Sequence, residues 1–97
     1  MLFVVVCRDS EPGSARRQEA LSAHRDYVDS QREHLVISGP LLDSDGETRR
    51  GQLFVVDFPD RAAALAFANA DPFVRAGIFD SVDINGFRLV FQDGQRV

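Results

Sequence analysis

The stretch LFVVVC (2–7) is apolar at every position, with Leu2, Val4 and Val6 alternating against Phe3, Val5 and Cys7. Its β-branched content predicts a strand, and a strand apolar on both sides needs cover on both sides. RDSEPGS (8–14) contains Pro12 and Gly13 and predicts a loop. Ser14 is then the expected N-cap of a helix over 15–33. Ala20, Leu21, Tyr27 and Val28 recur at helical spacing, while Arg25, Asp26, Asp29 and Arg32 mostly fall elsewhere. His24 falls on the apolar stripe.

HLVISGPLL (34–42) predicts a second strand, interrupted by Gly39 and Pro40. Proline cannot donate to a ladder, so this segment is expected at an edge, a bulge or a strand end. The polar stretch DSDGETRRG (43–51) predicts a hairpin loop, and QLFVVDF (52–58) a third strand. In that strand Phe54, Val56 and Phe58 share one face and Leu53 and Val55 the other. Pro59 ends it, and Asp60 caps an alanine-rich helix over 61–69 that carries Leu65 and Phe67. Asp71 and Pro72 then predict a single helical turn over 72–76, closed by Gly77. A last strand is expected over 78–92, with Val82 and Ile84 in phase, a slip at Gly86, and Phe87, Leu89 and Phe91 continuing the alternation. Such a slip at a glycine predicts a β-bulge. DGQRV (93–97) is expected to be a tail.

The order strand, helix, strand, strand, helix, strand is the split βαβ pattern of ferredoxin-like α+β folds, with a four-stranded antiparallel sheet. Two helices cover one face of such a sheet. The apolar residues on the other face predict a homodimer that joins two sheets face to face.

Length and charge narrow the picture. A chain of 97 residues with 44% hydrophobic content fits one globular domain spanning 1–97. The net charge of -4 and the short basic pairs Arg16–Arg17 and Arg49–Arg50 do not offer the broad positive surface that nucleic acid demands. Both pairs are expected to be solvated. The apolar runs are too short to span a membrane, and the start of the chain lacks the basic region and cleavage site of a signal peptide. A single cysteine, Cys7, forms no internal disulfide, and the expected location is cytoplasmic.

The candidate chemistry centres on His24 and Asp71. Imidazole titrates near neutrality and suits acid–base work; the alternative for an inward histidine is a bond to a backbone carbonyl. Asp71 is explained by capping alone, and capping is the commoner meaning of Asp-Pro. A cap is still able to accept a bond from an imidazole, and the predicted fold puts both residues on helical segments over the same sheet face. His34 is read as charge complementarity at a helix end. Ser38-Gly39-Pro40 either ends a strand or lets a ligand approach the backbone. Cys7 is read as an inert core thiol, and no metal-ligand spacing or cofactor motif is present.

Over nearly its whole length the chain resembles the YCII-related (YciI-like) proteins. The resemblance rests on LFVVVCRD at the start, AH at 23–24, SGPLLD at 38–43, Gly51, ADPFVRAGIF at 70–79 and RLVF at 88–91. It implies a dimeric α+β barrel of ferredoxin-like subunits. It also implies an active-site dyad of His24 and Asp71. Ser38, Gly39, Pro40 and Phe73 are the expected substrate contacts. Many relatives carry a basic residue and a proline shortly before the histidine, where this chain has Leu21 and Ser22. The activity implied is elimination chemistry on small cyclic or aromatic molecules, without metal or cofactor. The alternative is a non-catalytic small-ligand-binding or assembly module. Monooxygenases of the antibiotic-biosynthesis type share the fold, but fold alone does not carry function.

Overall fold

The computed structural model describes residues 1–10 and 13–97, with side chains in the second segment from Ala15 onward. The expected breaker Pro12 and the expected cap Ser14 lie outside these described residues and side chains. The elements are β1 (Leu2–Asp9), α1 (Gly13–Ser30), a 3-10 turn (Arg32–His34), β2 (Leu35–Leu42), β3 (Arg49–Asp57), α2 (Arg61–Ala70), α3 (Pro72–Arg75), β4 (Phe79–Phe87), β5 (Phe91–Gln92) and β6 (Gln95–Arg96). β1 to β4 form an antiparallel sheet in the order β2-β3-β1-β4. The ferredoxin-like expectation is met, and β2, which carries Pro40, is an edge strand, where a missing backbone donor is tolerated.

The register divides each strand between two faces. Phe3, Val5 and Cys7 of β1 lie beside Phe54 and Val56 of β3 and Ile84 of β4. All are buried, and Ala64, Phe67 and Ala68 of α2 close over them. Burying each of the larger side chains contributes about 1.5–3 kcal/mol. The small alanines let α2 sit close to the sheet, and Leu65, its other large apolar residue, is exposed. Asp60 begins α2 by accepting a bond from the Ala63 amide at 2.9 Å, as expected of an N-cap.

The opposite face carries Leu2, Val4, Val6, Leu53 and Val55, with Ile37 of the edge strand paired to Val55. Ile37 is 63% exposed. Of the β4 residues in line with this face, Ser81, Asp83 and Asn85 are polar and Phe87, opposite Leu2, is apolar, so the two-sided apolar pattern belongs to β1 and β3 and reaches β4 at its last residue alone.

The end of the chain departs from expectation. The register between β1 and β4 is continuous through Gly86, so no bulge occurs there, and β4 ends at Phe87, opposite Leu2. Beyond it the chain leaves the sheet and makes the β5–β6 hairpin. Asp93 and Gly94 take φ values of 53° and 76°, which suit a two-residue hairpin turn. The expected tail DGQRV is therefore half of a hairpin. β3 also starts earlier than expected and takes in Arg49 and Arg50.

Two irregularities in pairing lie at one end of the sheet. Leu41 and Leu42 pair with Gly51 and Arg49, leaving Arg50 as an extra residue in β3. Arg8 and Asp9 pair with Ser81 and Phe79, leaving Asp80 extra in β4. An extra residue reverses the in–out phase beyond it. Arg49 and Phe79 are thereby turned to the helix-covered side of the sheet.

Candidate functional site

The cluster at that end of the sheet begins with His24. Among the described side chains of α1, His24 alone is buried. The deepest position of an otherwise half-buried stripe thus holds a polar ring, which needs a partner. Asp71 supplies it: His24 Nδ1 lies 2.7 Å from Asp71 Oδ1, and the side chains are 9% and 2% exposed. The same Oδ1 accepts the Phe73 amide at 2.9 Å. Asp71 therefore starts α3 as a cap and also meets the imidazole. A carboxylate accepts the Nδ1 proton and leaves Nε2 as the basic nitrogen.

Phe73 orients the ring further. Its side chain is buried and lies parallel to the imidazole, with centroids 3.7 Å apart and planes 5° from coincidence. Helix position, carboxylate and stacked phenyl ring together set the plane of His24. Three residues further along α1, Tyr27 donates to the Phe67 carbonyl at 2.8 Å and ties the helix to α2. Burial first, and then the Asp71 charge, raise the Tyr27 hydroxyl above its usual range. Beneath the site, Cys7 is buried in β1; burial, then Asp71, push its thiol up to about 12. It is a protonated core thiol at neutral pH.

The arginine pairs are not both solvated, as their composition led one to expect. Arg16 and Arg50 are exposed, Arg50 pairing with Asp43 at 2.9 Å. Arg49 is turned inward by the β3 bulge. Its Nε donates to Asp9 at 3.1 Å and its Nη1 to Gln52 at 2.9 Å. The side chains of Arg49 and Asp9 are 13% and 17% exposed. The guanidinium carbons of Arg49 and Arg17 stand 5.4 and 5.9 Å from the Phe73 ring centre, within reach of a cation–π contact. Pattern reading missed both, although Arg17 carries a signal: it sits seven residues before His24, on the same stripe.

The other predicted contacts are more distant in the sheet. Ser38, Gly39 and Pro40 lie on β2, with Ser38 and Pro40 exposed. Pro40 pairs with Gln52, the residue that receives Arg49. A Cβ built at Gly39 meets nothing within 4 Å, so no close approach inside the chain requires glycine there. His34 serves the fold: it donates from Nδ1 to the Asp57 carbonyl at 3.1 Å and stacks on Phe58. No group of three metal-ligating side chains occurs among the described residues. An open concavity of about 540 Å³ lined by Met1, Leu2, Gly86, Phe87, Arg88 and Leu89 lies at the opposite end of β1 and shares no residue with the cluster.

Residues 1–88 match the YCII-related domain. The chain belongs to the YCII-related family. It is 30% identical to Protein YciI of Escherichia coli O6:H1 over 98 residues, covering 94% of this chain and 100% of the relative. The Shigella flexneri YciI protein is similar to the same extent. Among solved structures, the fold is similar to 5-chloro-2-hydroxyhydroquinone dehydrochlorinase (TftG) from Burkholderia phenoliruptrix in complex with 2,5-dihydroxybenzoquinone. The TM-score is 0.82 at 22% identity, covering 91% of this chain and 94% of that one. The family match ends at Arg88, just after β4, so the β5–β6 hairpin follows the matched region.

Proposed function

We propose that this YCII-related protein is a cofactor-independent acid–base enzyme of the lyase type, acting on a small cyclic or aromatic substrate. The observation that carries the reading is the buried contact of 2.7 Å between His24 and Asp71. In the proposed elimination, His24 Nε2 takes a proton from substrate carbon. The C–H electron pair becomes the new double bond, and the leaving group departs with its own pair. Asp71 stabilises the imidazolium formed, which returns its proton to solvent. Phe73 keeps the ring in plane, and Ser38, Gly39 and Pro40 border the substrate from the edge strand. The similar fold of a dehydrochlorinase supports this reaction class. The same reading has two copies joined through the apolar stripe of β1, β3 and β2.

A panel of small halogenated and hydroxylated rings, 5-chloro-2-hydroxyhydroquinone included, tests the proposal through release of the leaving group. For a panel member that is turned over, His24→Gln is expected to lower the rate by ~10²–10⁴-fold, the contribution of a positioned acid–base group. Equal turnover by His24→Gln removes the histidine from the chemistry. Lower stability without any change in turnover favours the ligand-binding or assembly module, with His24 as a structural group.

A further inference from the structure

Two arginines near Phe73, the ring stacked on His24, present donors that nothing among the described residues uses. Arg49 spends Nε on Asp9 and Nη1 on Gln52, but its Nη2 is buried without a partner among the described residues. Arg17 Nε, arriving from α1, is likewise buried and unpartnered. A buried donor left unmade is costly and demands an explanation. The two guanidinium groups also repel one another: burial, and next the Arg49 charge, lower the pKa of Arg17. Asp9 offsets Arg49, and Asp71 is engaged by His24 and the Phe73 amide. No salt-bridge partner for Arg17 is present among the described residues.

Orphaned donors on two like charges, close to the aromatic ring that stacks on the imidazole, are complementary to an oxyanion. Asp9 Oδ1, buried and without a partner among the described residues, complements a hydroxyl donor. We infer that Arg17 and Arg49 form an oxyanion subsite beside His24, so that the ligand is a small organic anion bearing a carboxylate, phenolate or enolate oxygen. This rests on the proposed function only in taking the ligand of the dyad and of the arginines to be one molecule. In that case the subsite also holds negative charge that develops on an oxygen when His24 removes a proton from an adjacent carbon. Arg17 and Arg49 are binding residues, and His24 moves the proton.

The test reads equilibrium binding and is independent of turnover. Calorimetric titration of the intact protein uses three probes: 2,5-dihydroxybenzoquinone, which carries enolate oxygens at neutral pH; salicylate, a carboxylate with a neighbouring hydroxyl; and salicylamide, its uncharged counterpart. At least one anion is expected to bind saturably, and salicylamide at least ~10-fold more weakly than salicylate if the carboxylate is the group held. Tighter binding of the quinone than of salicylate identifies the enolate as that group. Arg17→Gln, which breaks no ion pair among the described residues, is expected to weaken the bound anion at least ~10-fold, the loss of a charge-assisted bond. The double variant Arg49→Gln with Asp9→Asn avoids stranding a buried carboxylate and is expected to do the same. Failure of both anions to saturate at millimolar concentration overturns the inference, as does unchanged affinity in Arg17→Gln with a native-like melting temperature. Anion binding that depends on the arginines, together with turnover indifferent to His24→Gln, retains the subsite and rejects the enzyme.

Discussion

At the scale of residues, the site joins features of unequal visibility in the sequence. Asp71 was readable as a cap from Asp-Pro alone, and the structure retains that role while adding the imidazole contact to the same oxygen. His24 was readable from helical phase, because only burial on the stripe distinguishes it from the other polar residues of α1. Contact between the two was implied by family resemblance, since no local rule connects positions 47 apart. The arginines were misread because a basic pair was treated as one unit. Neighbours in a helix point about 100° apart, so Arg16 reaches solvent while Arg17 follows His24. Adjacent strand residues point to opposite faces, so Arg49 and Arg50 also separate.

At the scale of elements, the irregular pairings do most to shape the site. The bulge at Arg50 decides which arginine turns inward, and Gly51 lies directly beside it. A Cβ at Gly51 would stand 2.1 Å from the Cys7 carbonyl oxygen, within the paired strands. Gly51→Ala must therefore displace β1 or β3, at a cost of at least ~1–3 kcal/mol. Chemical denaturation is expected to show that loss, and the anion affinity is expected to fall with it as Arg49 is displaced; a variant as stable as the parent removes the close approach from the account. The β3 bulge was not legible because it depends on pairing with β2 rather than on any breaker in RRGQ. The opposite error occurred at Gly86, where an alternation running on to Phe91 was read as strand. The pairing of β4 with β1 ends at Phe87, and the Asp-Gly turn takes the rest into a hairpin. The caps at Asp60 and Asp71, the helices and the central strands were legible because their signals are local.

At the scale of the whole molecule, one sheet face is finished by helices and the other carries an apolar stripe across β1, β3 and β2 that touches β4 at Phe87. The face-to-face assembly proposed above would bury Val4 and Ile37. Light scattering after size exclusion is expected to give twice the chain mass of 10.8 kDa, and Val4→Asp to shift it toward the single chain with the helix signal retained. A monomeric parent protein refutes the face-to-face assembly. The fold's other global act is to bring α1 and the start of α3 together, so that Asp71 selects one nitrogen of His24. The most direct test of that arrangement is a long-range ¹⁵N–¹H correlation spectrum of the neutral histidine rings. The account predicts His24 protonated at Nδ1 with Nε2 bare, and loss of that preference in Asp71→Ala. A His24 ring carrying its proton on Nε2 in the parent protein would contradict it, because the nitrogen assigned to the substrate would then have no lone pair to accept a proton.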